Sequence, residues 1–144
     1  MSAIQEHQGD ILTITHGILV HGCDPQSDDN SPLLGALRTR YPGAVRVYRE
    51  AKEAGRAAPG QVVFYQVPSP GDDRLIIASA VMLSGPMPDI GAAGACLKAI
   101  AAAAREANLP VHFPALPGVP SVMFKAFIDT ALGTDIERHL WLPA

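Results

Sequence analysis

The sequence predicts a single three-layer α/β/α domain built on a mixed sheet of about six strands. Short β-like runs alternate with segments of helical periodicity along all 144 residues, and helices that fall between strands cover both faces of a sheet. The run Ile18 to Gly22 is apolar without alternation, as in a strand buried on both sides. A hydrophobic content of 48% against 17% charged residues favours a packed core over disorder. A chain of this length buries roughly 68–70% of its unfolded surface as one domain, residues 1–144.

Each element has its own signal. Ile4 to Gln8 reads as a weak edge strand, and Ile18 to Gly22 as a central one. Ser31-Pro32 offers an N-cap with proline at the first helical position, and Pro42 ends that helix at Tyr41. Pro42 then opens a second helix through Ala54, closed by Gly55. Gln61 to Val67 and Leu75 to Met82 flank the turn Pro68 to Asp73, short enough for an antiparallel pair. Asp89 caps a long helix, Ile90 to Ala107, whose Ala93, Leu97, Ile100, Ala101 and Ala104 share one face at helical spacing. Val111-His112-Phe113 is a short strand stopped by Pro114. A Pro/Gly loop leads to a helix from Pro120 to about Leu132, ended by Gly133, and Ile136 to Leu142 is the last strand.

Composition excludes several functions. A formal net charge of −3, with no basic run, argues against general nucleic-acid or membrane-surface binding. The N-terminus is polar and lacks a signal-peptide core, and the alanine-rich stretch near residues 92–104 carries Lys98, so it reads as a buried helix and no membrane span. Cys23 and Cys96 lack metal-type spacing, which fits a reducing, cytoplasmic setting. His16, His21, His112 and His139 lack metal-ligand spacing as well, so neither metal nor cofactor is expected.

In folds of this class ligands sit beyond the carboxyl ends of the strands, which directs attention to the loops after Gly22, Met82 and Phe113. His21 and Cys23 are two apart and point to one face of a strand. That is the arrangement of a nucleophile with its base, or of two side chains packed at a strand end. His112 reads as a core or sheet-edge histidine. Arg38, Arg40, Arg46 and Arg49 cluster on the proline-started helices, as a lure for an anionic partner or a solvated face balanced by Glu50 and Glu53.

The segments Gly9-Asp10-Ile11, Ile18-Leu19-Val20-His21-Gly22-Cys23-Asp24, Gly35-Ala36-Leu37, Arg40-Tyr41-Pro42-Gly43-Ala44 and Val47-Tyr48 together resemble a macro domain, the ADP-ribose-binding module. The small phage and bacterial forms are the most similar in pattern. Element order agrees over nearly the whole chain and motifs over about its first third. The resemblance implies that Asp10 accepts from the adenine amine beside the Ile11 amide; an acceptor-only carboxylate suits an amino-bearing base. Alternatively, Asp10 is a turn residue bonded to nearby amides.

The resemblance further implies ligand contacts from Gly22, Cys23, Asp24, Gly35, Ala36 and Pro114, and from Gly118, Val119 and Ser121 at the start of the last helix. This chain departs from the pattern at the phosphate loops. Asp24 stands where the family has Asn, and two unit charges at ~4 Å repel by about 4 kcal/mol at an effective dielectric of ~20. Gln26 to Leu34 and Leu116 to Ser121 carry prolines and few glycines where the family brings backbone N–H groups to phosphate.

Relatives that remove ADP-ribose use a Lys or an Asp near these loops. Residues 61 to 82 here contain no Lys, and residues 112 to 124 no Asp or Glu, so no catalytic residue is assigned. Two readings follow. The first is a binder of ADP-ribose or a related nucleotide, with weak ADP-ribosyl hydrolase or phosphatase activity. The second is a degenerate macro domain acting as a non-catalytic interaction or viral accessory module with a protein partner.

Overall fold

The computed structural model describes residues 3–23, 32–68, 71–84, 87–115 and 119–143. Its strands are β1 (Gln5–Gln8), β2 (Gly17–Cys23), β3 (Val62–Gln66), β4 (Leu75–Val81), β5 (Leu83–Ser84), β6 (Met87–Pro88), β7 (Val111–Pro114) and β8 (Arg138–Leu142). Its helices are α1 (Pro32–Arg40), α2 (Pro42–Glu53), α3 (Ile90–Ala107) and α4 (Ser121–Leu132). Six strands form one mixed sheet in the order β1-β8-β7-β2-β4-β3, with β3 antiparallel to β4 and the other pairings parallel. The fold class expected from the sequence is the one observed.

Strand alternation divides the core in two. Ile18, Val20, Ile76, Ala78, Phe113 and Leu140 face α3 and α4, where they meet Leu97, Ile100, Ala104, Phe124 and Ile128. Every residue of the expected α3 stripe lies in this cluster, and its alanines let the helix lie close to the sheet. On the other face Leu19, Leu75 and Ile77 pack with Leu34, Leu37, Ala44 and Val45. The central strands β2 and β4 are buried almost throughout, as a continuous apolar run requires.

Boundaries follow the local chemistry. The Asp89 carboxylate accepts from the Ala92 amide at 3.0 Å, the N-cap bond that starts α3. Bonds from the Val67 amide to the Leu75 carbonyl and from the Val81 amide to the Gln61 carbonyl extend the β3–β4 ladder to Gln61 and Val67. Two features lacked a sequence signal. Ile11–Thr13 form a one-turn 3-10 helix, and the loop expected after Met82 contains the paired two-residue strands β5 and β6. The last strand starts at Arg138, two residues later than expected, although Ile136 is still buried in the core. The expected cap Ser31 lies outside the described residues. Among the described residues no helix is long and apolar enough to cross a membrane.

Among the described residues Arg138 is the one charged side chain in the set of largest fully buried groups. Strand alternation turns it toward α4, where its guanidinium pairs with Asp129 and donates to the Ile136 carbonyl. Burial holds its pKa below the ordinary arginine value. The pair ties β8 to α4 and costs desolvation that only its partners offset.

Candidate functional site

Strands β2, β4 and β7 run parallel, so Cys23, Val81 and Pro114 end at one edge of the sheet. Strand β1 runs the same way, and its carboxyl end leads directly into Gly9 and Asp10. Four chain segments therefore open onto a common edge, as expected for a ligand ledge in this fold class.

Gly9 makes the bend possible. Its φ of +149° is strained for any L side chain, and its amide donates to the Leu142 carbonyl at 3.0 Å. Asp10 follows, exposed, with one carboxylate oxygen accepting from the Leu12 amide at 2.9 Å. Its carbonyl accepts from the Thr13 amide at 3.1 Å and the Thr13 hydroxyl at 2.8 Å. The turn-residue alternative is thus realised. A carboxylate has a second oxygen, so the capping bond orients the group without using all of its accepting capacity. Ile11 and Leu12 are buried and anchor the turn in the second core cluster.

The other expected ligand residues divide by location. Gly22 is half-buried and Cys23 is buried at the end of β2, while Pro114, Val119 and Ser121 are half-buried between β7 and α4. Gly35 and Ala36 lie within α1 on its exposed side, and nothing comes within 4 Å of where a Gly35 side chain would begin. Their neighbours Leu34 and Leu37 turn into the core. Asp24 and Gly118, with most of both phosphate loops, lie outside the described residues.

His21 and Cys23 do share a face, with Sγ 3.4 Å from Nδ1. Burial pushes the His21 imidazole down to about 4, so the ring is neutral near pH 7. Such a weak base cannot hold the proton of a thiol with an ordinary pKa near 8.5, and Cys23 is only 2% exposed. The pair is packing, with His21 Nε2 buried and unpartnered. Cys96 is similarly inert: burial raises its thiol to about 11, and it donates to the Val81 and Gln61 carbonyls. Among the described residues no group of three His, Cys, Asp or Glu side chains could hold a metal ion.

The parallel register gathers side chains that the sequence leaves scattered. His112 on β7, His139 and Trp141 on β8, and His7 on β1 form one layer of rings with centroids 4.5 to 6.2 Å apart. His112 is neutral, lowered to about 4 by burial first and by His139 next, and its Nδ1 accepts from the Trp141 indole at 3.0 Å. It is the buried histidine the sequence suggested. His7 had no local signal, because its partners lie more than a hundred residues away.

At the opposite end of the sheet a cavity of about 390 Å³ is lined by Arg105, Asn108, Pro110, Asp135 and Glu137. Arg105 is already engaged there by both Asp135 oxygens, at 2.8 and 3.0 Å, and by the Leu132 carbonyl. The carboxyl edge therefore remains the better candidate.

No family model matches the sequence, and no curated protein does either. Solved structures do match. The macrodomain of Thermus aquaticus DarG is 16% identical with a TM-score of 0.79, covering 98% of this chain and 97% of that one. A macrodomain protein from Streptomyces coelicolor is 21% identical with a TM-score of 0.80, covering 96% of this chain and 97% of its own. Thermosipho africanus DarTG, solved in complex with ADP-ribose, matches at 15% identity and a TM-score of 0.79, over 96% of this chain and 42% of that one. With its sheet order, its helices and its near-complete coverage, this chain has the macrodomain fold.

Proposed function

We propose that this chain binds ADP-ribose or a closely related nucleotide at the carboxyl edge of its sheet. The observation that carries the reading is the Asp10 turn: an exposed carboxylate, oriented by the Leu12 amide, on a fold shared with a protein solved in complex with ADP-ribose. An acceptor-only group at a base edge favours an exocyclic amine, so Asp10 selects adenine over an oxo-purine. Ile11 supplies the ring-side contact, and Gly22, Cys23, Pro114, Val119 and Ser121 border the ribose and phosphates. We assign a binding role and no catalytic residue, since the Cys23–His21 pair lacks the protonation state of a nucleophile with its base.

Calorimetric titration with ADP-ribose tests this. Binding, with a thermal shift that grows with ligand concentration, is the expected result. Absence of both heat and thermal shift at millimolar ligand overturns the reading.

The interaction-module reading has its own support. Ile90 and Val122, each 76% exposed, and Met123, 64% exposed, stand at the first turns of α3 and α4. Those turns open toward the same sheet edge, and large apolar side chains there suit a protein contact. A strictly monomeric protein with no partner in a pull-down counts against this second reading.

A further inference from the structure

The ring layer on β1, β8 and β7 is unused by the proposed ligand site, and its hydrogen bonds count protons. His139 Nε2 lies 2.7 Å from Glu137 Oε2, and His139 Nδ1 lies 2.8 Å from His7 Nε2. The carboxylate can only accept, so the neutral His139 carries its proton on Nε2. Its Nδ1 is then an acceptor, and His7 Nε2–H must donate to it. One extra proton enters at His7 Nδ1, or at His139 Nδ1 with His7 in its Nδ1–H tautomer accepting through Nε2, and either way one N–H···N bond remains. A second leaves both rings doubly protonated, which sets N–H against N–H and one imidazolium against another.

The bond sits where its loss matters. Strand β1 has four residues, lies at the sheet edge and, among the described strands, hydrogen-bonds to β8 alone. It carries Gly9, Asp10 and Ile11 at its carboxyl end. We infer that His7, His139 and Glu137 form a latch that holds β1 and the Asp10–Ile11 turn in place, and that a second proton on the imidazole pair opens it and weakens nucleotide binding. The weakening of binding rests on the function proposed above; the latch itself does not.

The charged surroundings favour this outcome. Just before β8 the facing group is Glu137 and on β8 it is Trp141; on β7 the facing group is His112, which stays neutral and stacks 4.5 Å from His139. On β1 itself Glu6 pairs across the edge with Lys125 of α4 at 3.2 Å, away from the latch. From the 3-10 turn, Asp10 is directed at the Leu12 amide. Among the described residues Glu137 is therefore the one carboxylate bonded to the pair, and a single negative charge cannot balance two imidazolium ions.

Hydrogen-exchange protection at about pH 7.5 and about pH 5.5, either side of the ordinary imidazole range, tests the latch. In the wild type, amides of residues 5–9 should lose roughly tenfold protection relative to α3 in the same sample. His7→Gln keeps a donor to His139 but takes no proton, so its β1 protection should change less than about threefold. Unchanged wild-type protection, or an equal loss in the variant, overturns the latch. Should the variant not fold, imidazole ¹⁵N shifts of the wild type decide. His139 is expected as the Nε2–H tautomer at the higher pH, and both rings doubly protonated together only where β1 opens; finding His7 and His139 both doubly protonated beneath a protected β1 overturns the proposal. ADP-ribose titrations at both pH values separate the two layers. Opening with undiminished affinity sinks the coupling, whereas opening with no binding at either pH supports the latch and sinks the nucleotide reading.

Discussion

Strands β7 and β8 present two different surfaces from the same nine residues. Toward α3 and α4 they turn Val111, Phe113 and Leu140, all fully buried among aliphatic side chains. Toward the other face they turn His112, His139 and Trp141; His139 and Trp141 stack on His7, His112 stacks on His139 and accepts from Trp141, and His139 bonds to Glu137. The first surface is apolar and responds to volume; the second is polar and held by hydrogen bonds. Alternation along a strand lets one short segment serve stability on one side and a titratable network on the other.

Substitutions separate the two surfaces. Phe113→Ala should have the largest effect: it removes a fully buried ring packed edge-on against Phe124 at 5.8 Å, and a loss of about 3–5 kcal/mol in denaturant unfolding is expected. A loss below about 1 kcal/mol would mean that this core is loosely packed. The pH dependence of stability comes next. His21 and His112 are buried and lowered to about 4, whereas in the unfolded chain they titrate near 6.5. The unfolded state therefore binds more protons between these values, so stability is full above about pH 6.5 and falls as pH drops toward about 4. For His21 alone the loss is on the order of 3 kcal/mol, and urea melts across this range should show it. A flat profile would contradict the burial of these rings.

Asp89→Ala should cost about 1 kcal/mol, the usual value of a lost N-cap, with no effect on the ring layer. Asp10→Ala should leave stability within roughly that same amount while weakening adenine-containing ligands more than ribose phosphate. Equal losses for both ligands would remove Asp10 from the base edge.

Much of the fold was legible because its signals are local. Pro32, Pro42, Asp89 and Gly133 punctuate the helices where the structure starts or ends them, and the apolar run of β2 marks the sheet centre. The missed features depend on distant partners. Arg138 reads as a polar strand residue until alternation turns it inward to meet Asp129. His7 gains meaning only through the parallel pairing of β1 with β8, which sets it against His139 and Trp141. Of the candidate site, the Asp10 turn could be anticipated as either a base contact or a capped bend, and the Leu12 bond makes it at least the second. The inertness of Cys23 and His21 was settled by their burial, which two-residue spacing alone does not set.

Amide chemical-shift mapping during titration with ADP-ribose tests the location of the ligand site most directly. Shifts should concentrate at residues 9–12, at the ends of β2 and β7 and at Ser121, with little change around Asn108 and Glu137. Shifts confined to the cavity at the opposite end of the sheet, or none under saturating ligand, would contradict the proposed site.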